Sequence, residues 1–304
     1  RCNLTNLDFS RKDCYRGGNP SFWQQVYAQF DEKKTMAFFE SHGCPLKMER
    51  GNRVFPVTDR SQSILDCLQN ELRRVRVAVR DETATEILTK DGRVTGVKTT
   101  AASYDASWVI LATGGVSYPA TGSTGDGYTM AAALGHTIVP PRGSLVPLES
   151  DDADCAAMQG LSLRNVEATV YNGKHKPVFR EFGEMLFTHF GVSGPMVLSA
   201  SAHMRDMKSG RYKIVIDLKP ALTPEQLDAR ILRDFSENTN RNFINALNSL
   251  LPKKLVPVIV SLSGISPSEK VNQVTKELRR RLAELLKGLT VTVTGFRPIA
   301  EAIV

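Results

Sequence analysis

Residues 109–128 read VILATGGVSYPATGSTGDGY, an apolar run that empties into a turn carrying Gly114, Gly115, Gly122, Gly125 and Gly127. The run Trp108-Val-Ile-Leu-Ala lacks apolar–polar alternation, which predicts a strand covered on both faces, as in a parallel sheet. Ligands of such sheets sit at the carboxyl edge of the strands. Glycines there let backbone N–H groups approach an anionic or aromatic ligand with no Cβ in the way. A helix over 128–134 follows the turn. The glycine order in 122–127 is G-x-x-G-x-G, reversed from the dinucleotide fingerprint, and no lysine follows as in a P-loop. Two readings therefore stand side by side: a pyrophosphate or flavin cradle, and a structural turn that needs positive φ.

The rest of the chain gives this turn a setting. Ile64, Leu65, Leu68 and Leu72 form a helical stripe that Thr58 or Ser61 is placed to cap. The period then changes to strand alternation at 74–79, followed by strands at 85–89 and 93–100 around an Asp91-Gly92 hairpin turn. Beyond about 139, strand patterns at 163–171, 177–182, 185–188, 211–218 and 290–294 predict an antiparallel barrel or sandwich. Between the last two, Thr223-Pro-Glu-Gln and Ser266-Pro-Ser-Glu each read as a capping box with proline at the first helical position. Val271, Val274, Leu278, Leu282 and Leu285 then fall on one helical face. The expected fold is α/β plus β-barrel: a truncated, Rossmann-like nucleotide-binding α/β domain over 1–138, a barrel over 139–220 and 289–304, and a small helical cap over 221–288 inserted in the barrel.

The 304 residues are 41% hydrophobic and 23% charged, an ordinary globular composition with no apolar run long enough to span a membrane. The formal charge of +7 is scattered, and its densest run, at 276–282, lies on an amphipathic helix pattern. Nucleic acid is therefore not an expected partner. Cys2, Cys14, Cys44, Cys67 and Cys155 are odd in number and form no C-x-x-C, which argues against a disulfide framework or zinc knuckle and fits a cytoplasmic protein. No metal site is expected. The chain opens on Arg1-Cys2-Asn3 without Met and closes on what reads as the first turn of a helix, so it is expected to be an internal piece of a longer protein.

Seven segments raise the flavin reading together: 1–6 (RCNLTN), 53–59 (RVFPVTD), 109–115 (VILATGG), 121–128 (TGSTGDGY), 144–148 (SLVPL), 184–195 (EMLFTHFGVSGP) and 294–302 (TGFRPIAEA). In this order they resemble the bacterial NAD(P)/FAD-dependent oxidoreductase family that includes aminoacetone-oxidase and BaiN-type bile-acid reductase members. The resemblance implies a glutathione-reductase-like FAD domain with an inserted barrel and helical cap. It also implies that Arg1, Cys2, Asn3, Thr5 and Asn6 lie beside the flavin and that Ala84 faces the adenine. Ala112, Thr113, Gly114, Gly115, Ser123, Thr124, Gly125, Asp126 and Gly127 would line the cofactor. The family's G-x-G-x-x-G strand would precede Arg1, so FAD is expected to be the parent protein's cofactor and absent from this piece, with NAD(P)H as the electron source.

Each candidate has a structural alternative. Cys2 reads as a redox thiol or a buried loop cysteine, and no partner cysteine lies nearer than Cys14. His189 is a candidate proton donor or a hydrogen-bonded loop histidine. Asp126 binds a ribityl hydroxyl or caps the following helix. Arg297 faces an anionic part of the ligand or sits in a surface turn. The function that follows for the parent protein is hydride transfer between FAD, reduced by NAD(P)H or reoxidised by oxygen, and a small organic substrate, with this piece itself expected to be inactive; the alternatives are an RNA-modifying or RNA-associated flavoprotein and a cofactor-free scaffold. The apolar stretches 75–79 and 109–111 are expected to lack their central sheet neighbours, and such edges invite a homodimer or swapped assembly.

Overall fold

The computed structural model describes residues 2–8, 20–49 and 51–303, and the chain divides into two compact units, 1–83 and 84–304. The first holds β1 (Thr5–Asn6), α1 (Pro20–Gln29), α2 (Glu32–Ser41), β2 (Leu46–Glu49), β3 (Arg53–Pro56) and α3 (Gln62–Arg74), with its sheet ordered β1-β3-β2. Its core is small: Phe39, Cys44, Ile64 and Cys67, joined by Cys2, Leu4, Phe38 and Leu46. The helix expected from the 64–72 stripe is α3, but only Ile64 of that stripe is buried. Neither expected cap forms. Ser61 makes no capping bond and Thr58 Oγ1 is hydrogen-bonded to Ser63 Oγ instead.

The second unit begins with the meander β4 (Ala84–Lys90), β5 (Arg93–Thr99) and β6 (Ser103–Asp105). Asp91 and Gly92 both take positive φ, 53° and 74°, the turn a two-residue hairpin of this twist requires. After the glycine turn comes α4 (Asp126–Ala133), then β7 (Leu148–Glu149), α5 (Ala153–Ala157), β8 (Ser162–Tyr171), β9 (Pro177–Thr188), β10 (Gly191–Ser193), α6 (Pro195–Ser201) and β11 (Tyr212–Asp217). The helical block α7 (Pro224–Ser236), α8 (Phe243–Ala246), α9 (Val256–Ser263) and α10 (Lys276–Lys287) leads into β12 (Leu289–Val293) and β13 (Gly295–Phe296).

Seven strands form one antiparallel sheet in the order β12-β11-β8-β9-β10-β7-β13. The segments expected as two strands at 177–182 and 185–188 are one strand, β9, whose partner β8 absorbs the register shift between Leu163 and Val166. The two edge strands, β12 and β13, are separated in sequence by Thr294 alone. Chain continuity thus brings the edges together at one corner without a closing ladder, so the expected barrel is a curled, open sheet. The Asp152 carboxylate accepts from the Thr292 N–H at 2.7 Å, satisfying one donor of the edge strand. One core runs from this sheet into the helical block, centred on Phe187, Ile216, Leu227, Phe243 and Leu286.

Two further expectations change. The strands at 74–79 and 108–112 do not form: neither stretch has a ladder partner among the described residues, and a strand exists only when its backbone groups are paired. Trp108 and Ile110 are 89% and 91% exposed. Of the two capping boxes, the one at Thr223 forms with both reciprocal bonds. Ser266 instead hydrogen-bonds Ser268, and the later helix starts after Thr275, whose hydroxyl accepts from the Leu278 N–H at 3.2 Å.

The α7–α10 contact carries an ion pair with a pH signature. Arg279, nearly buried, donates from Nε and Nη2 to Asp228 at 2.6 and 3.1 Å. This hydrogen-bonded guanidinium holds the Asp228 carboxyl below its usual range. A depressed carboxyl stabilises the fold above its unfolded pKa of about 3.9 and loses that contribution as pH falls through the folded value. Asp228→Asn should lower the unfolding midpoint at neutral pH, and thermal melts should show the gap from wild type closing in acid.

Candidate functional site

The glycine turn folds back on itself rather than standing open. A methyl group on Gly127 would lie 2.2 Å from Thr113 Oγ1, so the threonine side chain rests on the bare Cα at the start of α4. Gly125, at φ +89°, could not carry one either, since it would meet Val116 Cγ1 at 2.9 Å. Close packing of 113–116 against 123–128 is thus one reason for these glycines, as the structural reading holds. A second feature remains. Among the described residues no acceptor faces the backbone N–H groups of Gly114, Gly115, Gly125, Asp126 or Gly127. Asp126 is the first residue of α4, with Gly125 in the capping position, so its carboxylate caps nothing and stays exposed.

The other end of the turn is held by a strap. Tyr118 and Leu145 are bulky residues at φ 52° and 55°, a left-handed geometry that costs about 1–2 kcal/mol per residue. Tyr118 also precedes Pro119, which disfavours helical backbone at that position. Both are tied to the same segment. The Tyr118 N–H donates to Ala300 O at 3.1 Å, and the Ile303 N–H donates to Leu145 O at 3.1 Å. Between strap and turn lies a cavity of about 330 Å³ lined by Ser117, Tyr118, Thr121, Ser123 and Ile303. None of these except Ser123 was a candidate from sequence; the available signal was the hydroxyl-rich spacing Ser117, Tyr118, Thr121, Ser123 within the glycine turn.

Arg297 braces the strap. Its guanidinium donates to Glu301 at 2.6 and 3.2 Å and to Glu149 at 3.2 Å, and it lies 4.6 Å from the Phe190 ring centroid. All three nitrogens are therefore engaged within the protein, which favours the structural reading of this arginine. Phe190 and His189 form the tight turn between β9 and β10. His189 is exposed, its ring edge-on to Phe190 with centroids 5.1 Å apart. The histidine turn, the strap and the glycine turn thus form one chain of contacts within the second unit.

The remaining candidates are placed otherwise. Arg1 lies outside the described residues. Cys2 packs on the small core of the first unit, beside Cys44, whose thiol is pushed up by burial and by the neighbouring Cys67 and Cys2. Thr5 and Asn6 pair with Val54 and Arg53 of β3, and the Asn6 amide bridges Gly51 O and the Asp8 N–H. Asn3 is exposed. Ala84 opens β4 opposite Thr99, as expected for the start of the meander. Ala112 and Thr124 flank the turn and are exposed. Among the described residues there is no group of three or more His, Cys, Asp or Glu that could hold a metal, and no helix long and apolar enough to cross a membrane.

This arrangement has known counterparts in sequence. The model for the HI0933-like protein Rossmann domain matches residues 1–201, and that for the HI0933-like protein barrel and H2TH domain matches 142–304. The chain belongs to the HI0933-like family. This is the FAD-dependent oxidoreductase family that the ordered motifs resemble. Among curated relatives, the 3-dehydro-bile acid delta(4,6)-reductase of Clostridium scindens is 31% identical over 269 residues, 87% of this chain and 64% of that protein. The chain thus spans less than two thirds of the reductase. The ribosomal RNA dihydrouridine synthases of Haemophilus influenzae and Escherichia coli are 28% and 27% identical, each over 97% of this chain and 71% and 70% of theirs.

Proposed function

We propose that this HI0933-like chain is part of an FAD-dependent reductase that saturates a carbon–carbon double bond conjugated to a carbonyl in a small organic molecule. The observation that carries the reading is the set of free backbone donors at Gly114, Gly115, Gly125, Asp126 and Gly127 beside a hydroxyl-lined cavity. The fit to a flavin is chemical. Free N–H groups and Ser123 suit the oxygens of its polyol chain, while the exposed Asp126 carboxylate suits sugar hydroxyls and repels a pyrophosphate. Thr113, Gly114, Gly115 and Ser123 to Gly127 would hold the group, with Ala112 and Ala84 as backbone contacts. Bound FAD would supply the hydride, after reduction by NAD(P)H. The protein's own work is to orient the acceptor in the cavity and to exclude water.

The relatives' names share a chemistry that supports this acceptor class. A 3-dehydro-delta(4,6) steroid carries double bonds conjugated to a ketone, and making dihydrouridine saturates a ring double bond conjugated to a carbonyl. A second reading, in which the acceptor is a uracil base in RNA, is favoured by the two dihydrouridine synthases and by exposed Arg241, Lys253, Lys276 and Arg280 on the helical block. One assay separates them: oxygen-free oxidation of NAD(P)H by the flavin-loaded parent protein, with cyclohex-2-enone, a 3-oxo-delta(4) steroid or a ribosomal RNA fragment as acceptor. The main reading expects turnover with the small enones. Turnover with RNA alone would replace it by the second.

A further inference from the structure

We infer that Tyr118 is the substrate-facing hydrogen-bond donor, its phenol holding the carbonyl oxygen of the conjugated acceptor in the cavity beside the glycine turn. The inference rests on the reductase reading and identifies a group that neither the motifs nor the relatives' names assign. Three observations converge on it.

The first is strain with a cause. Tyr118 occupies a left-handed conformation, φ 52°, immediately before a proline, and the bond from its N–H to Ala300 O holds it there. Backbone strain that the surroundings over-determine is characteristic of residues that must be aimed. Leu145, the other bulky residue in this conformation, is tied to the same strap through Ile303. The Arg297–Glu301 pair fixes the strap from within one helical turn.

The second is placement. Tyr118 lines the cavity of about 330 Å³ together with Ser117, Thr121, Ser123 and Ile303. Ser123 also packs on Gly114, so the same cavity borders the turn assigned to the flavin. The cavity's lining joins the apolar Ile303 to four hydroxyl-bearing residues, a mixture that a carbonyl-bearing hydrocarbon fits.

The third is availability. Thr121 Oγ1 donates to Tyr118 O at 2.7 Å and is engaged in the turn. The Tyr118 phenol has no hydrogen-bond partner among the described residues and is about half exposed. A phenolic O–H is a hydrogen-bond donor that a carbonyl oxygen can accept. Hydrogen-bonding the carbonyl oxygen stabilises the negative charge that develops there as hydride bonds to the β-carbon and the double-bond pair shifts toward oxygen; the resulting enolate then takes a proton from solvent at its α-carbon, giving the saturated ketone. His189 does not line this cavity.

The test is Tyr118→Phe, which removes one hydroxyl and leaves the ring. Infrared difference spectra of cyclohex-2-enone, isotope-labelled at its carbonyl, should show a lowered carbonyl stretch when bound to the wild-type, flavin-loaded protein. In Tyr118→Phe that lowering should vanish, and transfer from reduced flavin to the enone should slow by about 100-fold. The loss should fall on the enone-dependent half-reaction, whereas a packing defect would slow flavin reduction by NAD(P)H as well. A carbonyl shift retained in Tyr118→Phe overturns the assignment of Tyr118 alone. No shift and no enone reduction in the wild type overturns the acceptor class and this assignment with it.

Discussion

Gly127→Ala is expected to weaken FAD binding on the order of 100-fold, equivalent to about 2.7 kcal/mol, while leaving thermal stability nearly unchanged. The two effects separate because they come from different places. Alanine is a better helix former than glycine by about 1 kcal/mol, and position 127 lies in the first turn of α4. That helix gain offsets part of what the displaced turn loses in packing, so the net change in stability stays small. The new methyl group, however, would sit 2.2 Å from Thr113 Oγ1, and a threonine branched at Cβ has no remote atom to swing aside. The 113–116 arm must move away from α4, and the backbone donors of Gly114 and Gly115 move with it. Calorimetric titration of the parent apoprotein with FAD, set beside melting curves of wild type and variant, checks the pair of outcomes. Unchanged affinity would mean that the turn does not hold the cofactor.

Phe187→Ala should be the most destabilising single truncation in the sheet, by about 3–5 kcal/mol. Phe187 is fully buried in β9, its N–H donates to Leu161 O, and its carbonyl accepts from the Gly160 N–H at 2.8 Å. It immediately precedes Thr188 and the turn that carries His189 and Phe190, so the cavity would open beneath that turn. Phe182 lies on the same strand but is 57% exposed; Phe182→Ala should stay within about 0.5 kcal/mol of wild type. Urea unfolding followed by circular dichroism distinguishes the two, and equal losses would contradict the burial of Phe187 and the exposure of Phe182 on β9.

Features that depend on a few neighbouring residues were legible in the sequence. The Asp91-Gly92 hairpin and the Thr223 capping box are short-range chemistry, and both form. Features that depend on a distant partner were not. The Trp108–Leu111 stretch has the composition of a buried strand, yet only a neighbouring strand could make it one. Ser266-Pro-Ser-Glu has the letters of a capping box, but Val271 and Val274 are drawn into the core before a helix begins, and Thr275 becomes the cap. The open corner at Thr294 arises from the order of all seven strands, which no local pattern encodes.

The site divides the same way. The glycines of 114–127 left two readings open in the sequence, a ligand cradle and a structural turn, and their close approach to Thr113, Val116 and Ser123 displays the packing role. Asp126 resembled a helix cap until the helix proved to start at Asp126 itself. Tyr118 went unnoticed because nothing in Ser-Tyr-Pro signals left-handed backbone; the strap from Arg297 to Ile303, more than 170 residues away, imposes it. Sequence left Arg297 between a ligand contact and a surface turn; in space its i+4 neighbour Glu301 and the distant Glu149 engage it as an internal brace, and only the second of these depends on the folded sheet.

The most direct measurement is a single turnover without oxygen. The flavin-loaded protein is reduced with one equivalent of NAD(P)H, freed of nucleotide, and mixed with cyclohex-2-enone or a 3-oxo-delta(4) steroid while flavin absorbance and product are followed. Flavin reoxidation and the saturated ketone should appear at the same rate, one ketone for each flavin. Flavin that stays reduced until oxygen is admitted, with no saturated ketone formed, would contradict the reductase reading.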